Sequence, residues 1–526
     1  MMAKRYIIAM AVAMGAAGLA SAQNTYVNAE MTQDHDLQGS ARYVAMGGAF
    51  SALGAEASAM GDNPAATALM RKSEITLTAG ALWGADKSGI DLDNGYSYGR
   101  THFTFDQAAI VGAFKVDGRY IKNFNIGFNY HKKINFNNLN AGEIACSGSQ
   151  LNQYADLLNN YGTDIYNRHS DGYIYGAYYD CGLIDYGYAP DGSVNWSRSS
   201  KLPATTGQSM YRMTKGAMHA YDFNLSVNVK DRYYVGLTIG VDYLNYSCEN
   251  SYAERIGTDD APYDFDIANY HKVTGSGFNF KLGTIIRPIE DNPLRIGVAV
   301  ESPTWFLLSS HYDNTLRSKY DANIDDFVPV PGEFYSSCYS YYNMEYSIRT
   351  PWRFRLAVGS TVSNKLAWGV DYEYAIYKYE GMGYLAEDER RSIFNTIDDE
   401  MMNANTRHSL SGQHRVKFGL EYKPISRLSL RAGYNYICDI YKSERWDPGV
   451  ADESTVNNIG TSWITVSPTH LLTFGLGTRI KWFGVDLAYK CRLQNASYYG
   501  NLDSYPSSID MNTRRHSVIC TLSARF

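Results

Sequence analysis

The chain has 526 residues, 48 Lys and Arg against 54 Asp and Glu, and a net charge of −6, so no nucleic-acid partner is expected. Its seven Cys (146, 181, 248, 338, 438, 491 and 520) are scattered with no CxxC, which leaves zinc and thioredoxin-type sites without support. Tyr alone supplies 45 residues while mean hydropathy is −0.34, a combination suited to an alternating sheet with one apolar face.

Lys4 and Arg5 precede an apolar run from Ile7 to Leu19, and Ala20-Ser21-Ala22 forms an A-x-A site. Residues 1–22 therefore read as a secretory signal peptide, with Gln23 beginning the mature chain. No Cys follows that site, so lipid attachment there is not expected. Beyond it no run of eighteen apolar residues remains for a transmembrane helix.

Residues 39–68 hold eighteen Gly, Ala or Ser, too little apolar volume to build a core alone. Within them Asn63 is a good N-cap and Pro64 suits the first position of a short helix. From residue 73 onward the period is two. In Tyr221 to Val229 the odd positions are apolar and the even ones polar, and Phe483 to Lys490 alternates the same way. We count fourteen such runs, near 74–82, 100–116, 121–133, 217–230, 233–246, 272–287, 294–308, 343–361, 364–379, 407–423, 427–440, 466–481, 483–496 and 511–526. Many cover 13 to 17 residues, where globular strands average about 5 to 6. Connections after even-numbered runs are short and those after odd-numbered runs long. An even antiparallel transmembrane barrel, with short periplasmic turns and long outer loops, produces that alternation. Val518, Cys520, Leu522, Ala524 and Phe526 share one face, and the terminal aromatic resembles the signal read by the barrel-assembly machinery.

The expected fold is thus all-β: a 14-stranded antiparallel β-barrel in the outer membrane over 73–526, with long extracellular loops, 134–216 the longest. Residues 23–72 are expected to fold into its polar lumen as a plug, against the alternative of a loose periplasmic tail.

The segment SARYVAMGGAFSALGAEASAMGDNPAATAL resembles the N-terminal hatch of FadL/TodX-type transporters of hydrophobic substrates. GSGFNFKLGTIIRPIEDNPLRIGVAVESPT, YSIRTPWRFRLAVGS, WGVDYEYAIY and HRVKFGLEYKPISRLSLRAGYNY extend the resemblance, in order, to the family's Bacteroidetes-type members. It departs at Ala66, where Gly or Leu commonly follows Asn-Pro-Ala, and in the long polar loop. The resemblance implies a monomer that takes up long-chain fatty acids or other hydrophobic small molecules passively and releases them sideways into outer-membrane lipid. Gly47, Gly48, Asn63, Pro64 and Ala65 would belong to the hatch, and Asn123, Asn125 and Gly127 of the third run to the lateral gate, with Gly127 allowing a kink.

In 134–216, Leu151, Tyr154, Leu158, Tyr161 and Ile165 recur at helical spacing, with Leu157 alongside, and either pack the helix onto the rim or grip substrate. Trp305, Phe306, Leu307 and Leu308 would form the opposite wall of such a site or part of the aromatic girdle. Cys146 and Cys181 share this polar segment and could pair in an exported protein. With no G-x-S-x-G, HExxH, phosphate loop or metal spacing of His, neither catalysis nor a cofactor or metal is expected. A second reading keeps the barrel but makes it a protein-binding or secretion partner of the PorV type.

Overall fold

The computed structural model describes residues 25–88, 96–99, 101–116, 118–145, 148–161, 178–179, 181–256, 263–318, 336–363, 365–385, 396–442, 463–499 and 508–526. The signal-peptide reading, Cys146 and Ile165 lie outside these residues.

Fourteen antiparallel strands close on themselves. They are β1 (Glu74–Ser88), β2 (His102–Lys115), β3 (Ile121–Asn135), β4 (Thr205–Val229), β5 (Tyr233–Ile256), β6 (Tyr263–Ile286) and β7 (Arg295–Glu301 with Trp305–Ser318). The round continues with β8 (Ser336–Arg349 with Arg353–Val362), β9 (Leu366–Ala375), β10 (Gln413–Ile425), β11 (Leu428–Ile437), β12 (Trp463–Val466 with Thr469–Ile480), β13 (Phe483–Tyr499) and β14 (Ser508–Arg525). Closure is a continuous ladder between β1 and β14, from Glu74↔Arg525 to Ser88↔Met511. Pairing on both sides satisfies the wall strands in lipid, save at the upper end of β2, which has no β3 partner beyond Gln107 among the described residues.

Facing follows the sequence period. Leu225 is 57% exposed and Phe223 52%, whereas Asp222, Asn224, Ser226 and Asn228 point inward and are buried. The outward apolar band has a marked upper border on β4, β10, β12 and β14. There His219, His414, His470 and His516 accept from or donate to Tyr130, Tyr372, Tyr434 and Tyr489 on the neighbouring strand, at 2.9, 2.7, 2.8 and 2.7 Å. Each Tyr meets the His two residues before its direct partner, so one diagonal is used four times.

Above that border the wall continues. Residues 134–145 and 205–216 were expected in the long loop, yet Asn138–Ala145 pairs with β4, and β4 starts at Thr205. The alternation persists, but its outward members are now Lys215, Met213, Tyr211 and Ser209, so the apolar signal fades while the ladder does not. The excursion proper is 146–204. Its helix Gln150–Tyr161 and hairpin Ile184–Tyr188/Val194–Arg198 fold over the mouth, the helix N-terminus receiving the buried Glu254 carboxylate (Gln150 N–H donates at 2.6 Å).

Residues 25–70 pack against the inward-facing side chains of the wall strands. A helix at Thr25–Thr32, a turn of helix at Ala41–Ala45 and 3₁₀ turns at Ala57–Gly61 and Pro64–Leu69 are buried nearly throughout.

Candidate functional site

Four layers stack inside the barrel. At the bottom the Asn63 side chain accepts from Ala65 N–H at 3.1 Å, capping a 3₁₀ turn, and donates to the carbonyls of Ser51 (2.7 Å) and Thr284 (3.2 Å). This one side chain joins two parts of the plug to β6. The wall there carries inward glycines: Gly236, Gly283, Gly297, Gly359, Gly369, Gly419, Gly433 and Gly475, one on each strand from β5 to β12. At each, an added Cβ would meet the plug: Pro64, Asn63, Ser51, Leu53, Ala49, Met46, Gly47 and Ala45 in turn. Four of them are direct ladder partners, Gly359↔Gly369↔Gly419↔Gly433. Gly47 and Gly48 adopt φ of 61° and 79°, which their lack of a side chain permits. This belt escaped the sequence reading because a strand glycine registers only as a gap in the alternation. Its signal was a glycine recurring in the inward register of successive strands.

Above the belt lies a charged layer. Asp62 accepts from Lys417 at 2.7 Å and Tyr43 at 2.5 Å, Asp34 pairs with Arg415 at 2.9 Å, and Asp36 with Lys490 at 2.5 Å. Arg355 bridges Glu301 and Glu373, and Lys281 pairs with Asp222. Burial alone would push Asp62 up, but Lys417 and Arg355 outweigh it and hold the carboxyl below its usual range. His35 goes the other way: burial, with Arg492 and Arg415 beside it, pushes it down to about 3. A long apolar molecule would gain nothing by entering this layer.

The third layer is apolar. Val27 and Met31 of the first plug helix pack with Met218, Met344, Met382, Met402, Phe306 and Leu308. Methionine fills irregular space and repacks readily. Within this cluster the hydroxyls of Tyr312 and Tyr346 are buried with no hydrogen-bond partner among the described residues. At the rim of the cluster Arg212 makes a two-point ion pair with Glu30 of the plug, at 2.9 and 2.6 Å. Sequence reading missed Tyr312, Tyr346 and Arg212, since strands distant in sequence bring them together.

The cap is the fourth layer. Leu151, Tyr154 and Leu158 are buried there with Tyr178, Cys181, Leu183 and Trp196, and reach Phe265, Leu316 and Tyr498 on the wall. Tyr161 ends the helix, and its side chain lies outside the described residues. The stripe and the Trp305–Leu308 group do not meet. Phe306 and Leu308 belong to the third layer, while Trp305 faces outward beside Phe278, with ring centroids 5.3 Å apart.

The wall is interrupted beside the third layer. β2 and β3 pair from Lys115↔Asn123 to Gln107↔His131 and no further among the described residues. After Asn135 the strand turns inward: Phe136 sets its ring against Tyr246, and its carbonyl accepts from Thr214. The following arm, Asn138–Ala145, reaches the inward faces of β1 and β14, where Arg515 donates to the Asn137 carbonyl at 2.9 Å. Opposite the turn, Gly216 adopts φ of 106°. A window of about 260 Å³ remains, running from Trp83 and His102 on the outer side to Leu139 and Arg515 inside. Phe103 stands next to His102, 88% exposed.

At Asn123, Asn125 and Gly127, the positions expected to form a gate, the wall is continuous. Gly127 carries no kink: it is paired to both Val111 and Asn224. Asn123 donates to the Ala68 carbonyl, and Asn125 to those of Thr67 and Met70. These residues hold the plug. Of the expected pair, Cys181 is buried in the cap.

No family model and no curated protein matches the chain. Among solved structures, a FadL homologue of Pseudomonas aeruginosa aligns over 94% of this chain and 99% of its own, at 12% identity and a TM-score of 0.54. A deltaS2S3 mutant of TodX, a monoaromatic hydrocarbon channel, aligns over 93% and 100%, at 13% identity and a TM-score of 0.50. At such identities the likeness concerns the fold: this chain is a fourteen-stranded barrel with the architecture of the FadL-type channels.

Proposed function

We propose that the protein is an outer-membrane channel for passive uptake of hydrophobic small molecules, long-chain fatty acids among them, which leave sideways into the bilayer. The observation that carries this reading is the window between β2 and β3, at the upper border of the outward apolar band, where Trp83 stacks on His516, and above the charged layer. A molecule collected under the cap would find apolar side chains, then an opening to lipid, and below it only ion pairs and plug. Burying a CH₂ is worth about 0.8 kcal/mol, so such a route holds its cargo away from water throughout. The phenols of Tyr312 and Tyr346 favour a cargo with an oxygen-bearing head over a bare hydrocarbon.

Radiolabelled oleate and toluene uptake by a transporter-deficient strain tests the proposal. Wild-type protein should restore oleate uptake, and Leu139→Arg, which puts a charge in the window, should abolish it at unchanged barrel yield. Uptake that survives Leu139→Arg would remove the window from the route. Tyr312→Phe with Tyr346→Phe should lower oleate and spare toluene.

A further inference from the structure

The end of the barrel carrying the short turns has a charge unlike that of the whole chain. Over residues 71–72, 115–122, 230–232, 287–295, 363–365, 423–427 and 481–482 there are thirteen Lys or Arg against four Asp or Glu, in a protein of net charge −6. Each of the six turns contributes, through Arg119, Lys230, Arg287, Lys365, Arg427 and Lys481, and all but Arg287 are exposed. At the opposite end exposed charge is mixed, as in the pairs Lys215–Glu249 and Arg349–Asp398.

Four non-glycine residues take positive φ in these turns, Lys230, Asp231, Ser363 and Lys481, and two of them are lysine. Lys230 and Lys481 sit at φ of 57° and 55° in tight hairpin turns. Gly or Asn fills such positions with less steric conflict, yet lysine occupies both. Aromatic side chains share the level. Tyr120, Tyr233 and Trp482 are exposed, with Lys230 Nζ 5.0 Å from the Tyr120 ring and the Arg232 guanidinium 5.6 Å from Tyr233. Directly above them Ile121, Ile425 and Ile480 point outward. Cations at headgroup depth, amphipathic rings beside them and aliphatic side chains next toward the bilayer centre match a phospholipid from phosphate to acyl chain.

We propose that this rim binds anionic phospholipid, its phosphates held between neighbouring turns. The inference rests on the barrel lying in a bilayer, as the proposed function requires. Purified protein is placed in nanodiscs of phosphatidylcholine, with and without phosphatidylglycerol, and lipids retained after gentle extraction are counted by native mass spectrometry. Wild-type protein should retain phosphatidylglycerol preferentially. A variant carrying Arg119→Gln, Lys122→Gln, Lys230→Asn and Lys481→Asn, whose asparagines suit the positive φ, should lose that preference at least about fivefold, as should high salt. Equal retention of both lipids, or retention indifferent to the four substitutions, overturns the proposal, including in favour of an acidic protein partner at this rim. Failure to enter either nanodisc would instead count against the membrane reading itself.

Discussion

The lower and upper halves of the lumen are filled by opposite means. Below, the plug lies backbone against wall, with glycines on eight successive strands removing the side chains that would separate them. Ion pairs such as Asp62–Lys417 and Asp34–Arg415 then tie the two together. Above, contact is mostly by methionine and aromatic side chains, with the Arg212–Glu30 ion pair beside them, and the β2–β3 ladder stops at Gln107↔His131 among the described residues. Backbone contact tolerates almost no displacement, since even one added methyl overlaps. Methionine packing tolerates a good deal. The lower half is built as a fixed seal and the upper half as a deformable chamber.

The sharpest way to break this contrast is to add one carbon to the belt. Gly433→Ala places a methyl on the backbone of Gly47, and Gly283→Ala places one on Asn63. Overpacking of this kind costs about 3 kcal/mol, and either variant should raise ion conductance across planar bilayers well above the wild-type background. A silent Gly433→Ala would mean that the seal lies elsewhere.

Acid should act next in size. His35 takes a proton near 6.5 when free but near 3 when docked, so its contribution to docking is full above 6.5 and is lost as pH falls towards 3. At pH 5 the loss is about 2 kcal/mol. Once the intrinsic slowing of exchange in acid is divided out, protection of the amides over residues 34–38 should fall about 30-fold between pH 7 and pH 5, and His35→Gln should remove most of that fall. Asp62, held low by Lys417 and Arg355, stays ionised there and adds nothing to the change.

Asn63→Ala removes a cap together with its contacts to Ser51 and Thr284, for about 0.5–2 kcal/mol. Its conductance should lie between those of wild type and Gly433→Ala. The smallest effect belongs to the upper chamber: Met344→Leu and Met218→Leu should each cost less than about 1.5 kcal/mol in thermal stability and leave conductance at background. A large loss from either would show that this half is as tightly fitted as the lower one.

What could be read in advance was whatever a single strand or turn decides alone. Tyr221 to Val229 declared its two faces by alternation, and Asn63-Pro64 declared its cap, because both depend on near neighbours. The partners of that cap were hidden, since Ser51 and Thr284 come from elsewhere in the chain. The window was hidden for the same reason: nothing in Asn135-Phe136-Asn137 says that the Phe136 ring will settle on Tyr246 rather than on lipid. Likewise the stripe Leu151, Tyr154, Leu158 was visible as an apolar helix face, but what it covers is fixed by Phe265, Leu316 and Tyr498.

The glycine belt also bears on the order in which the molecule is made. Plug residues 45–64 touch glycines on β5 through β12, whereas the seam between β1 and β14 joins the two ends of the wall. A barrel sealed empty would have to admit a folded segment through a space with no clearance for one methyl group. Residues 45–64 must therefore be in position while the sheet is still an open trough, and the seam must form last, around them. Closure and filling are one event, and a plug expelled from a finished barrel would have no simple way back.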